Sequence, residues 1–393
     1  MKRRPQSPDR KAITLPKYGF DAKATLGLVM SGGGSRAAYQ VGALKALEPY
    51  FSQSSHQIGV IVGSSIGSIN GLLLGAGIKH GYTAAVDELE SLWMERTFRN
   101  TFAGHPSRAF FRSIKIAVLQ YLQPGPSPSA TSIFDPTPLM NRVDEAIKKF
   151  GGLEPKNRAE FVKAVAVMTT VEGKERKPLL VASTTQPIPE DIIQGATFQV
   201  AYVEALSAKH GFASAALPSI LPPVEIDTEH GKVHLVDGGI SQNVPVDPAG
   251  RLGAERVVVI DISGRDWWLN RAGEAHDTRP TWEVPAAEKT FCFRPPDTFV
   301  IRCQKPLGPL LKAAVGRSTS KFLAAAGATW PIFSLLKKKL GEEVAFEVMA
   351  YVALDPDYAA ALIERGFNET VTILKNKSEL EFSKAQALVT SDH

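Results

Sequence analysis

The stretch that most narrows what this chain can fold into runs from Ile58 to Leu74. An apolar, β-branched run, Ile58-Gly59-Val60-Ile61-Val62, ends abruptly in Gly63-Ser64-Ser65-Ile66-Gly67. A strongly apolar segment follows, Ser68-Ile69-Asn70-Gly71-Leu72-Leu73-Leu74. Hydropathy alone would read residues 58–77 as a membrane span. Six glycines, three serines and one asparagine argue instead for a buried strand leading into a core helix. Strand, sharp turn and helix form the setting in which the serine of a G-x-S-x-G sequence becomes a nucleophile. Ser65 holds that position, and Gly63 and Gly67 flank it where a Cβ would crowd strand against helix. The helix N-terminus behind Ser65 favours the negative charge that develops in acyl transfer. Chance also produces five small residues in this order, so the pattern needs company before it carries a function.

The rest of the chain has material for a large core. It is 393 residues long, 44% hydrophobic and 22% charged, enough for one large domain or two smaller ones. The net charge of +5 suits contact with anionic lipid or nucleic acid and requires neither; no nucleic-acid partner is expected. Cys292 and Cys303 are the only cysteines and lack metal-ligand spacing. No disulfide framework, metal or cofactor is therefore expected, and a reducing, cytoplasmic setting fits. The opening Met1-Lys2-Arg3-Arg4-Pro5 has no apolar run behind its charges, so no signal peptide is expected.

A second glycine-rich turn comes earlier. Leu26-Gly27-Leu28-Val29-Met30 reads as a strand, Ser31-Gly32-Gly33-Gly34-Ser35-Arg36 as a loop, and the chain to about Leu47 as a helix with Ala37, Val41, Leu44 and Leu47 on its apolar stripe. Two functional readings compete for the loop. Gly32-x-Gly34-x-x-Ala37 fits a dinucleotide fingerprint, but that fingerprint wants an acidic residue at the end of the next strand, and Val62-Gly63-Ser64-Ser65 offers none. The alternative is an oxyanion hole whose backbone amides face the substrate oxygen at Ser65.

Further strands are expected at Val162–Thr169, Pro178–Ala182, Val233–Val236 and Arg256–Ile262. A helix after Ile133 is expected to be capped by Asp135 or Thr137. Strands alternating with helices imply an α/β fold with a central, mostly parallel sheet. Asp237-Gly238-Gly239 ends one of these strands. An aspartate there suits a catalytic loop and equally suits a turn; taken alone, the turn reading is the better one.

Together, four ordered blocks resemble the patatin-like phospholipase family. Ser31 to Arg36 resembles its glycine-rich loop and Gly63 to Gly67 its nucleophile elbow. Ala213-Ser214-x-Ala216-x-Pro218 with Leu221-Pro222-Pro223 resembles its third block, and Asp237-Gly238-Gly239-Ile240-Ser241-Gln242-Asn243-Val244-Pro245 its aspartate loop. Ala37 departs from the pattern, where the family often has glycine. The resemblance covers roughly residues 25–262 and implies a three-layer α/β fold with helices on both faces of the sheet. It further implies hydrolysis of fatty acyl esters of phospholipids or lysophospholipids by a Ser65–Asp237 dyad, without histidine or calcium. Gly32, Gly33, Gly34, Arg36 and Ile66 would form the oxyanion hole, and Gly63, Gly67, Gly238 and Gly239 would shape the two catalytic turns. An esterase of small soluble esters and a dinucleotide-binding protein are the alternatives.

A Ser-Asp-His triad would need a histidine after the aspartate, and only His276 and His393 follow Asp237. His276 lies in a polar stretch and His234 points away by strand alternation. Three parts are expected: a loose polar tail at 1–22, a catalytic domain at 23–263, and an extension at 264–393 that packs on the core. In the extension, 264–298 would be a cap or a long connection. Leu307–Leu340, with Lys337-Lys338-Lys339, would be a helix pair able to meet an anionic membrane surface peripherally. Leu354–Leu374 would be a helix and a final strand.

Overall fold

The computed structural model describes residues 25–51, 57–104, 132–194, 196–228, 231–263 and 296–375. The expected tail at 1–22, His276 and nearly all of the expected cap at 264–298 lie outside them. In chain order the elements that frame the site are β1 (Leu26–Met30), α1 (Ala38–Phe51), β2 (Ile58–Ser64), α2 (Ile66–Gly77), α3 (Tyr82–Met94), α4 (Thr137–Lys149), β3 (Ala164–Val171), β4 (Pro178–Thr184), β5 (Gln199–Tyr202), α5 (Ala208–Ser214), β6 (Val224–Thr228), β7 (Gly231–Asp237), β8 (Arg256–Asp261) and β9 (Asp297–Arg302). Five helices close the described chain: α6 (Gly308–Val315), α7 (Thr319–Ala326), α8 (Trp330–Leu340), α9 (Glu342–Met349) and α10 (Pro356–Lys375).

The main sheet has the order β5-β4-β3-β2-β1-β8-β9. β3, β2, β1, β8 and β9 run parallel, while β4 is antiparallel to β3. Both faces are covered, which is why β1 and β2 read as continuous apolar runs rather than alternating ones. Leu26, Leu28 and Met30 face α1 and α2, while Val29 joins Val60, Val62, Val257 and Val259 on the other side, under Val246 and Ala249 of a short helix. Each such side chain, fully withdrawn from water, contributes roughly 1.5–3 kcal/mol.

Register brings two strand ends together. β2 stops at Ser64, opposite Met168 of β3. From Thr169 onward that edge of β3 is taken by β7, antiparallel, with Asp237 opposite Thr169. β2 therefore delivers residue 65, and β7 delivers residue 237, to the same point. The β6–β7 hairpin was not anticipated, because Pro222-Pro223 masks the start of β6 as a loop.

The C-terminal helices are built into this frame. β9 extends the sheet beyond β8, and α10 lies on α1 with almost no space between backbones: a Cβ at Gly42 would sit 1.9 Å from the Ile363 carbonyl oxygen. The expected strand at the end of Leu354–Leu374 is not formed. Residues 356–375 are one helix, whose buried Leu362, Ile363, Gly366, Thr370, Val371 and Leu374 follow a helical period. The β-branched run Val371-Thr372-Ile373 suggested a strand, and packing on α1 overrides that preference. Among the described residues no helix is long and apolar enough to cross a membrane; the apolar stretch 58–77 is β2 and α2.

Candidate active site

Ser65 sits between β2 and α2 at φ 51° and ψ −132°, a conformation that side chains avoid. The turn is held by its neighbours. The Ser68 amide donates to the Ser65 carbonyl at 3.0 Å. A Cβ on Gly63 would lie 2.3 Å from Ser68 Cα, and one on Gly67 2.5 Å from the Met30 and Ser31 carbonyl oxygens. Strand and helix can meet this sharply only because both positions are glycine.

The Ser65 hydroxyl donates to Asp237 Oδ2 at 2.6 Å. The Gly239 amide donates to Asp237 Oδ1 at 2.7 Å, so both carboxylate oxygens are held. The Asp237 backbone is fixed as well: its amide donates to Ala216 O at 3.0 Å, and Thr170 Oγ1 donates to its carbonyl at 2.8 Å. Gly238 lies against the Met168 carbonyl, 2.0 Å from where its Cβ would be. Burial pushes the Asp237 carboxyl up to about 6, against the opposing pull of the hydrogen bonds from Ser65 and Gly239.

Gly32, Gly33 and Gly34 line the same cleft as Ser65 and Asp237. Gly34 has φ 59°, and a Cβ there would meet the Tyr351 carbonyl oxygen at 2.1 Å. Gly33 and Gly34 begin a short 3-10 turn and Ile66 begins α2. Their amides are among those a helical start leaves without an internal partner. Arg36 does not line the cleft. Its guanidinium turns away, bonds the Glu347 carboxylate at 2.6 Å and stacks 3.6 Å from the centre of the Tyr351 ring. Glu347 also accepts from the Gly308 amide at 2.6 Å. The Ser35 amide donates to Tyr351 O at 2.8 Å, so α9 and the residues after it brace the glycine loop.

The cleft has a volume of about 380 Å³. Its walls are mostly apolar, with Phe98, Phe102, Phe134, Leu139, Ile220 and Leu354 among the lining residues. The Phe102 and Phe134 rings stack with centroids 4.4 Å apart. No histidine lines the cleft among the described residues. His234 is exposed on β7, 3.6 Å from Glu225.

Three features of the site had no role in the sequence. The Asn243 side-chain amide donates to Gly32 O at 3.4 Å, and the Asn243 backbone carbonyl accepts from the Gly32 amide at 3.4 Å, tying the aspartate loop to the glycine loop. Asn243 stood in the aspartate block without an assigned task. Glu347 and Tyr351 belong to a region with no motif. Arg96, in the cleft wall, stands in Met94-Glu95-Arg96-Thr97, which has no motif either.

The family model of the patatin-like phospholipases matches residues 28–249, more than half of the chain and all four blocks up to Ala249. The chain belongs to the patatin-like phospholipase family. Membership assigns it to the lipid hydrolases and sets aside the dinucleotide-binding alternative. No curated protein matches the sequence. Among solved structures it is similar to VipD from Legionella pneumophila, at 13% identity over 94% of this chain and 72% of that one, with a TM-score of 0.34. It is also similar to human GIVD cytosolic phospholipase A2, at 12% identity over 91% of this chain and 63% of that one, with a TM-score of 0.37. The type III effector ExoU is similar at 12% identity over 90% and 53%, with a TM-score of 0.33. At these scores the likenesses add nothing to the assignment, which rests on the family match.

Proposed function

We propose that this patatin-like phospholipase hydrolyses fatty acyl esters of phospholipids or lysophospholipids, with Ser65 as nucleophile and Asp237 as general base. The observation that carries the reading is the 2.6 Å hydrogen bond from Ser65 to Asp237 at the floor of an apolar cleft. Ser65 Oγ attacks the ester carbonyl carbon as Asp237 Oδ2 takes its proton. The tetrahedral oxyanion is received by the amides of Gly33, Gly34 and Ile66, each donor worth about 3–4 kcal/mol to the transition state. The C–O bond to the alcohol then breaks, and Asp237 returns the proton to the leaving oxygen. A water, deprotonated by the same carboxylate, then attacks the acyl carbon; the C–Oγ bond breaks, the fatty acid leaves, and Asp237 returns the proton to Ser65 Oγ. Arg36 acts at one remove, by holding the glycine loop against Glu347 and Tyr351. Fatty-acid release by the purified full-length chain tests the reading, with defined phospholipids, lysophospholipids and a short soluble ester as substrates. Turnover of the soluble ester alone would favour the small-ester alternative.

The general-base role sets a pH dependence. Asp237 works only when ionised, and its carboxyl is pushed up to about 6. kcat/KM is therefore expected to climb through about pH 6 and level off above it. A profile flat from pH 4 to 8 would remove Asp237 from the base role.

Residues 23–263 form the catalytic unit in this reading, and 264–393 an extension that adds a membrane-facing surface. Leu323, Trp330, Ile332, Leu335 and Leu340 are all exposed on α7 and α8, beside Lys337, Lys338 and Lys339. Lys337 is paired with Glu342 at 2.6 Å, so Lys338 and Lys339 supply most of the free positive charge. A lysine near an anionic bilayer contributes about 1 kcal/mol. Changing all three to glutamine is expected to weaken binding to anionic vesicles about tenfold and to leave zwitterionic vesicles unaffected. Co-sedimentation at two salt concentrations checks this, since salt should shrink the difference. Equal binding by both proteins would make these lysines ordinary surface charge.

A further inference from the structure

Arg96 is a buried cation with no neutralising partner among the described residues. It is 8% exposed, and its Nε has no hydrogen-bond partner. No carboxylate among the described residues forms an ion pair with it. Arg36 and Arg251 are paired with Glu347 and Asp247. Arg158 also has no ion pair among the described residues, but it donates to the Ser183 carbonyl at 2.9 Å and lies away from the cleft that Arg96 lines. Burial alone pushes the Arg96 guanidinium down to about 9, so it still carries its charge at neutral pH. A charge taken out of water without a partner is costly, and folded chains rarely keep one that has no use.

The side chain is fixed in place. Its guanidinium stacks on the Trp93 ring, 4.3 Å from the ring centre. Trp93 is itself anchored by donating from Nε1 to Asn70 Oδ1 at 2.9 Å, in the first half of α2. Arg96 thus hangs on the helix that begins at the nucleophile turn, and it lines the same cleft as Ser65, Asp237, Gly33 and Gly34. A rigid, planar donor fork in an otherwise apolar cleft wall suits a phosphate, which it can bind through two parallel hydrogen bonds.

We propose that Arg96 receives the phosphate of the substrate's head group and makes the enzyme favour phosphate-bearing acyl esters over neutral ones. This rests on the hydrolase reading above and adds to it the residue that would select phosphate-bearing substrates. The apolar walls hold the acyl chain, Ser65 meets the ester carbonyl, and the bound phosphate supplies the counter-charge that Arg96 lacks. The same chemistry would also take free inorganic phosphate, so the test must separate the two.

The test compares wild type, Arg96→Gln and Arg96→Lys on a short-chain lysophosphatidate and the monoacylglycerol with the same acyl chain, both below micelle formation. In Arg96→Gln the ratio of kcat/KM values, phosphate-bearing over neutral, is expected to fall at least tenfold, mainly through KM. Arg96→Lys should restore part of that ratio, because it keeps the charge and loses the fork. Calorimetric titration of wild type and Arg96→Gln with glycerol phosphate, and separately with inorganic phosphate, should show glycerol phosphate binding that Arg96→Gln loses. An unchanged ratio overturns the proposal. So does an equal loss on both substrates, which would make Arg96 a structural residue. Binding of inorganic phosphate to Arg96 with no change in the substrate ratio would assign the site to the free anion and likewise overturn it. Should Arg96→Gln fail to fold, Arg96→Lys and glycerol phosphate inhibition of monoacylglycerol hydrolysis by wild type decide the matter, and no inhibition counts against it. If wild type hydrolyses neither ester, the hydrolase reading falls by itself, and the glycerol phosphate titration alone then judges Arg96.

Discussion

Replacing Ser65 with alanine is expected to lower fatty-acid release by about 10⁴-fold or more while the protein stays folded. Among the described residues, Ser65 supplies the only hydroxyl that bonds the buried Asp237 carboxylate, at 2.6 Å. Without it no acyl-enzyme forms, and the amides of Gly33, Gly34 and Ile66 can only polarise an ester for attack by water. The turn survives because it depends on Gly63, Gly67 and the Ser68 amide rather than on the Ser65 side chain. Initial rates on a phospholipid, taken beside a thermal melt, check both halves. A variant that melts like wild type and keeps more than about a hundredth of its rate would exclude Ser65 as nucleophile.

Asp237→Asn is expected to lose a comparable share of activity and to gain stability. The folded protein holds this carboxyl at about 6, above its ordinary 3.8. A raised carboxyl favours the folded state fully below about pH 4, and that contribution is lost as pH rises through about 6. At pH 8 the buried charge costs the folded state roughly 3 kcal/mol. Asparagine keeps an oxygen for the Gly239 amide and carries no charge, so the variant should melt a few degrees above wild type at pH 8. The gap should close near pH 4. Melts of both proteins at the two pH values, with rates on one ester, measure this. A variant less stable than wild type at pH 8, or one that keeps its activity, would contradict it.

The parts of the site that were legible are those whose local chemistry is distinctive. Gly63 to Gly67 could be read because a strand that turns straight into a helix around an exposed serine demands small residues at fixed spacing. Gly32 to Gly34 could be read as a turn for the same reason, and the structure places it in the wall of the same cleft as Ser65. Asp237 alone was ambiguous, and only its order among the four blocks raised it above a turn residue. Arg36 could be read either as a neighbour of the oxyanion or as the partner of an acid. The residue that draws it away, Glu347, lies 311 positions downstream, a pairing no local pattern encodes. Arg96 was invisible for a related reason. What sets it apart is a buried guanidinium in the cleft wall with no ion pair among the described residues, and a sequence shows residues but not which of them meet in a cleft without a partner. The central sheet followed from continuous apolar strands, whereas the end of α10 did not, because its β-branched residues take helical form only against α1.

The central claim is that Ser65 is the nucleophile, and its most direct measurement is covalent. A fluorophosphonate reacts with an activated serine and stays attached to its Oγ. Mass spectrometry of the labelled, digested full-length protein should find one adduct, on the peptide that contains Ser65, and Ser65→Ala should remain unlabelled. An adduct on another residue in wild type, or labelling that persists in Ser65→Ala, would place the nucleophile elsewhere and contradict the account.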